Sequence, residues 1–126
     1  MAPLPNWHLA VIELDKLSGY ALNPDHADNQ EKWQAFWAIG YAVLTASQRE
    51  RAAGEIAATI LESLAVADAT FLRETRWGPR YGVRFPLAGP NGSVATAVTV
   101  WQYDVDGLGP RLLTLWLRVH TSEESR

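Results

Sequence analysis

A chain of 126 residues with 48% hydrophobic residues, 20% charged residues and six tryptophans has the length of one domain and the composition of a folded protein, which excludes a disordered chain and two independent cores. The absence of cysteine excludes a disulfide framework and a thiolate zinc site, and fits a reducing, cytoplasmic setting. A net charge of −3 argues against a broad phosphate-binding surface while leaving room for a small basic site.

The N-terminal run MAPLPNWHLAVIELDKL has no basic segment before its apolar residues and is interrupted by Glu13 and Asp15, so it reads as neither a signal peptide nor a membrane span. Within it, residues 8–14, HLAVIEL, are an apolar run of strand length, and Asp15 suits the N-cap of a short helical segment, KLSGYAL. A helix is expected over residues 28–39, entered from the turn-forming run NPDHADN. Trp33, Phe36, Trp37 and Gly40 fall at i, i+3, i+4 and i+7, which predicts three aromatic rings in the core and Gly40 at the left-handed stop. The next helix is marked by Ser47 and Glu50 in capping-box spacing, with Ala53, Ile56, Ala57, Ile60, Leu61 and Leu64 on its buried face. Gly54 costs about 1 kcal/mol relative to alanine in mid-helix and reads as the mark of a close contact.

From Thr70 onward the period is that of strands. ATFLRETR, RYGVRFPLA, SVATAVTVWQY and RLLTLWLRV are separated by WGP, GPNG and DVDGLGP. Turns this short exclude parallel crossovers, so the strands form an antiparallel meander, with Asn91-Gly92 suited to a tight hairpin. In the third strand Ala95, Ala97, Thr99, Trp101 and Tyr103 share one face and Val94, Val98 and Val100 the other. The expected fold is α+β, with an N-terminal strand and a single layer of helices on one face of a four-stranded antiparallel sheet. It forms one domain over residues 1–126, ordered over about 6–119, with a flexible tail at 120–126.

Two readings of the polar residues stand side by side. His26 is either a surface histidine in a turn or a general acid or base. Lys32 is either the i, i+4 partner of Asp28 or, with His26 and the helix N-terminus, part of a site for an anionic group. His8 and His120 fall at strand ends and no H-E-x-x-H spacing occurs, so no metal is expected. No glycine motif cradles a phosphate, no nucleophile elbow is present, and nothing calls for a cofactor. Trp77 lies between Arg76 and Arg80 in a hairpin that also carries Arg73 and Arg84. That cluster is either a local basic patch or a solvated sheet face, with Arg111 and Thr114 near the same end of the sheet.

The ordered pieces LPN, AVIELDKLSGYALNPDH, KWQAFWAIGY, RYGV, PLAGPNG and VTVWQYDVDGLGPRLLT, over about residues 3–115, resemble an uncharacterised family of small bacterial domains. Its pattern falls on Lys16, Tyr20, His26, Lys32, Gly40, Tyr81, Gly92, Trp101, Arg111 and Thr114. Asn29 replaces a glycine of the pattern, and TLWLRVH replaces an ending that turns to proline. The resemblance implies a setting of mobile elements or toxin–antitoxin pairs, with a small cognate antitoxin or immunity-like protein as partner. Helices followed by a four-stranded antiparallel sheet also resemble the barnase, EndoU, colicin and RelE group of ribonucleases. That likeness implies metal-free cleavage of RNA: His26 as acid or base, Lys16, Lys32 and Arg111 around the phosphate, Thr114 as a hydrogen-bond donor, and Tyr81 or Trp101 stacked on a base with Arg80 beside them. The competing class is a non-catalytic protein-binding or immunity-type domain, supported by the acidic total charge and by a sheet edge open to a partner strand. Convergence of Lys16, His26, Lys32 and Arg111 on one cleft separates the two.

Overall fold

A computed structural model describes residues 2–26, 32–105 and 107–119. The expected tail at 120–126, His120, Asn29 and the Asp28 partner of Lys32 lie outside the described residues.

The apolar run at residues 8–14 does not form a strand. Trp7–Leu9 coil into a 3-10 turn, in which the amides of Leu9 and Ala10 donate to the carbonyls of Asn6 and Trp7. Those bonds take donors that a ladder would need, and the run meets the sheet through one parallel bridge, Val11 to Arg111. Helix α1 (Leu14–Lys16) follows, with Glu13 rather than Asp15 at its N-cap. It passes into a π turn (Leu17–Ala21), closed by the Leu22 amide donating to the Leu17 carbonyl at 2.8 Å. Leu17, Ala21 and Leu22 are buried, so the turn is pinned to the core while Tyr20 stays half-exposed.

Helix α2 (Lys32–Ala38) buries Phe36 completely and Trp33 in part. Trp37, expected in the core, is 49% exposed: the buried line runs through Phe36 and Ile39, three residues apart, and turns Trp37 to the flank. Gly40 ends the segment at φ 106°, as the sequence predicts. The G-P-N-G hairpin then receives this end, with the Asn91 amide on the Ile39 carbonyl at 3.2 Å and Asn91 Nδ2 on the Ala38 carbonyl at 3.0 Å.

The cap of helix α3 (Ala46–Leu64) lies two residues earlier than expected. Thr45 Oγ1 accepts from the Gln48 amide and Gln48 Oε1 accepts from the Thr45 amide, both at 3.1 Å, so the capping box is Thr45-x-x-Gln48 rather than Ser47-x-x-Glu50. Its buried face comprises Ala52, Ala53, Ile56, Ala57, Ile60 and Leu64, and Leu61 is turned out.

The sheet is the expected meander: β1 (Ala69–Thr75), β2 (Gly78–Ala88), β3 (Val94–Gln102) and β4 (Arg111–Val119) lie in the order β1-β2-β3-β4, every pair antiparallel. Val83, Phe85, Leu87, Ala97, Trp101 and Leu115 point into the core with the helices. Helix α2 packs against β4, and α3 against the π turn and β2. The result is an α+β fold. Among the described residues no helix is long and apolar enough to cross a membrane.

Candidate active site

Lys32 opens the described part of α2, and the packing of α2 on β4 delivers its ammonium to the sheet edge. There Nζ donates to Thr114 Oγ1 at 3.0 Å. The same nitrogen lies 4.8 Å from the centroid of the Tyr20 ring, a cation–π contact made possible by the π turn that presents Tyr20. The other neighbour of that ring is His26, edge-on at 4.8 Å and 82°. Loss of hydration at this half-buried position lowers the pKa of Lys32 from the ordinary lysine value of 10.5. Beside the cluster is a cleft of about 200 Å³, walled by Lys16, Leu17 and Tyr20 on one side and by Leu113 and Thr114 on the other.

Four of the residues picked out in the sequence are thus linked through the Tyr20 ring and the cleft: His26 and Lys32 touch the ring, Thr114 holds Lys32, and Lys16 lines the cleft with Tyr20 and Thr114. Arg111 does not line this cleft. Its guanidinium is held by Asp104, seven residues earlier, in an ion pair of 3.1 Å, because the loop before β4 brings that carboxylate back over the strand it precedes. Trp101 has no face open to a ligand: it is fully buried, with Nε1 donating to Thr99 Oγ1 at 2.8 Å. Tyr81 is half-buried between Phe71 and Tyr103 in edge-to-face contacts of 5.6 and 5.5 Å. Arg80 Nε donates to Gln102 Oε1 at 3.0 Å, on the sheet and away from the cleft. Trp77 is exposed under the guanidinium of Arg76, 4.3 Å from the ring centroid, as its cationic neighbours predict.

The residue without an assigned role in the sequence reading is Tyr20, whose ring joins His26 to Lys32. Its signal was its place in the family pattern, and only the π turn shows why it faces both. Among the described residues no group of three or more histidines and carboxylates is placed to hold a metal ion. The arrangement offers an imidazole, an ammonium whose proton is more labile than usual, a second lysine, and a hydroxyl that fixes the first. Those groups suit proton transfer next to an anionic centre.

In fold the chain is similar to a chain of a contact-dependent growth inhibition toxin–immunity protein complex from Klebsiella pneumoniae 342. The TM-score is 0.59 and the identity 16%, covering 90% of this chain and 97% of that one. No curated protein matches the sequence. The model of one family does match, over residues 3–119, and the chain therefore belongs to that family, described as a domain of unknown function, DUF6883.

Proposed function

We propose that this chain is a toxin-type domain that cleaves RNA without a metal ion, at the cleft walled by Lys16, Tyr20 and Thr114, with His26 and Lys32 beside it. The observation that carries the reading is the position of Lys32, bonded to Thr114 Oγ1 and lying over the ring that also abuts His26. His26 takes the proton of a ribose 2′-hydroxyl, and the freed oxygen attacks the neighbouring phosphorus. The bond from phosphorus to the 5′ oxygen breaks, that oxygen accepts a proton from the Lys32 ammonium, and a cyclic phosphate is left. Lys16 stabilises the charge that develops on the non-bridging oxygens. Burial makes the Lys32 proton easier to give up, which suits the donor role. Action on cellular RNA places its work in the cytoplasm, and a small protein that covers the cleft is the partner this activity requires.

Induced expression in a bacterial host, with growth and total RNA followed, tests this against His26→Ala combined with Lys32→Ala. Purified protein on RNA with and without a chelator tests the metal. Growth arrest and chelator-resistant cleavage, both lost in the double variant, are expected. Healthy growth and intact RNA from folded wild-type protein would sink the proposal. That outcome would favour an immunity-type binding domain, for which the edge strand β1 supplies an observation: Phe71 and Leu72 are 52% and 48% exposed beside an unpaired strand edge among the described residues.

A further inference from the structure

The sheet face turned away from the helices carries a charge pattern that the net charge conceals. Arg73 lies opposite Arg80, Arg80 opposite Gln102, and Gln102 opposite Arg111. Further along, Arg84 lies opposite Val98 and Val98 opposite Trp116, and then Thr96 opposite Arg118. Residues directly opposite on antiparallel strands share a face. So Arg73, Arg80, Arg84, Arg111 and Arg118, out of eleven lysines and arginines in the chain, are gathered on this one surface. Arg111 is neutralised by Asp104, whereas among the described residues no carboxylate pairs with Arg73, Arg84 or Arg118. Much of the acidic charge is elsewhere, as on α3 with Glu50, Glu55 and Glu62.

On this face lies a groove of about 490 Å³ with Gly82, Val98 and Val100 in its floor and Leu72 and Trp116 in its walls; Arg84 lines it, and so does the carboxylate of Asp68. Trp116 is 38% exposed. The groove neighbours the cleft on the sheet: Val100 in its floor is the register partner of Thr114, which holds Lys32.

We propose that this open face is a second RNA-binding surface, outside the cleft, in which Arg84 and Arg118 hold phosphates on either side of Trp116 and the indole stacks on a base. The assignment rests on the reading of the chain as one that engages RNA. Cationic grooves with an aromatic platform bind single strands in a sequence-tolerant way. An acidic protein would satisfy the arginines equally well, but the exposed indole beside them and the neighbouring cleft proposed to hold a phosphate favour a single strand that reaches both.

The test uses the full chain carrying His26→Ala and Lys32→Ala and a fluorescent single-stranded RNA of about 16 nucleotides, followed by anisotropy between about 50 and 200 mM salt. Adding Arg84→Gln with Arg118→Gln is expected to weaken binding tenfold or more and to reduce the salt slope by about 2. Trp116→Leu is expected to weaken it about fivefold or more. Thermal melts followed by circular dichroism check that each variant folds, and if Trp116→Leu does not, the arginine pair decides. Unchanged affinity in the arginine pair overturns the surface. So does polyglutamate binding as tightly as RNA with no effect of Trp116→Leu, which would assign the face to an acidic protein. Cleavage by wild-type protein is read in parallel. RNA cut but held equally by the arginine variants overturns only the surface; RNA held through the arginines but never cut overturns only the ribonuclease reading.

Discussion

The ammonium of Lys32 and the hydroxyl of Thr114, 82 residues apart in the chain, meet at 3.0 Å because α2 packs along the edge strand β4. The bond holds a half-buried cation that has given up part of its hydration, so removing the hydroxyl while keeping the shape leaves that cation less well satisfied. Thr114→Val is expected to cost about 1 kcal/mol in stability and Thr114→Ser little, as read from urea midpoints. If the bond positions the ammonium for chemistry, Thr114→Val also lowers RNA cleavage tenfold or more while Thr114→Ser restores it. Equal activity in both variants would remove Thr114 from the site.

The role given to Lys32 fixes the alkaline side of the pH profile. Lys32 must be charged to give a proton, so activity falls at high pH as the lysine loses it. Because burial lowers the Lys32 pKa, the alkaline limb is expected below the ordinary lysine value of 10.5. Lys32→Arg keeps the charge, but its guanidinium does not release a proton in this range, so a loss of about 100-fold or more is expected. An arginine variant with near-wild-type rates would reduce Lys32 to an electrostatic role.

How far the sequence could be read follows from which interactions are local. The sheet was legible because alternation and the Asn91-Gly92 turn are properties of neighbouring residues, and β4 (Arg111–Val119) coincides with RLLTLWLRV. The cap of α3 was placed two residues late because Ser47-x-x-Glu50 fits the same pattern as Thr45-x-x-Gln48, which is the one that forms. The N-terminal run misled because a turn took its amides. Of the candidate site, the linking of Lys16, His26, Lys32 and Thr114 in one neighbourhood was foreshadowed by residue type and family pattern. The capture of Arg111 by Asp104 and the place of Tyr20 between His26 and Lys32 depend on loop and π-turn geometry that no spacing encodes. Of the five arginines on one sheet face, Arg73, Arg80, Arg84 and Arg111 were legible as a patch near one end, whereas Arg118 joins them only through the registers of β2, β3 and β4.

The two candidate caps give a direct stability comparison. Thr45→Ala removes an acceptor from the Gln48 amide and is expected to cost about 1 kcal/mol, whereas Ser47→Ala lies within the helix and should be close to neutral. Denaturant titration of the two variants reads the difference, and equal losses would contradict the observed cap.

Glycines in the helical half separate by what surrounds them. Gly54 is exposed, with open space where a Cβ would sit, so the expected close contact is absent and Gly54→Ala should stabilise by about 0.5–1 kcal/mol through helix propensity alone. At Gly89 a Cβ would collide with the Ile39 carbonyl, and at Gly40 it would come within 2.6 Å of the Asn91 amide nitrogen at a positive φ. Alanine at either position forces the end of α2 away from the hairpin and is expected to lower the melting temperature clearly. A stable Gly89→Ala protein would mean that α2 and the hairpin do not dock as described, and with them the path that carries Lys32 to Thr114.

Tyr103 supplies the last prediction, on alkaline stability. Its hydroxyl donates to the Pro5 carbonyl and ties the N-terminal segment to the end of β3. Burial, and secondarily the charge of Tyr81, raise its pKa from 10.0 to about 12. A raised pKa means that the folded state favours the protonated phenol, so its contribution is fully present below pH 10.0 and is lost as the pH climbs towards about 12. Tyr103→Phe should cost about 1 kcal/mol at neutral pH through the lost hydrogen bond, and should flatten the fall in stability across that window. Tyr41, raised in the same direction by burial and then by Glu55, keeps the slope from vanishing. Urea midpoints of both proteins at intervals from neutral to strongly alkaline pH measure this, and parallel curves would show that the phenol of Tyr103 titrates alike in the folded and unfolded chain.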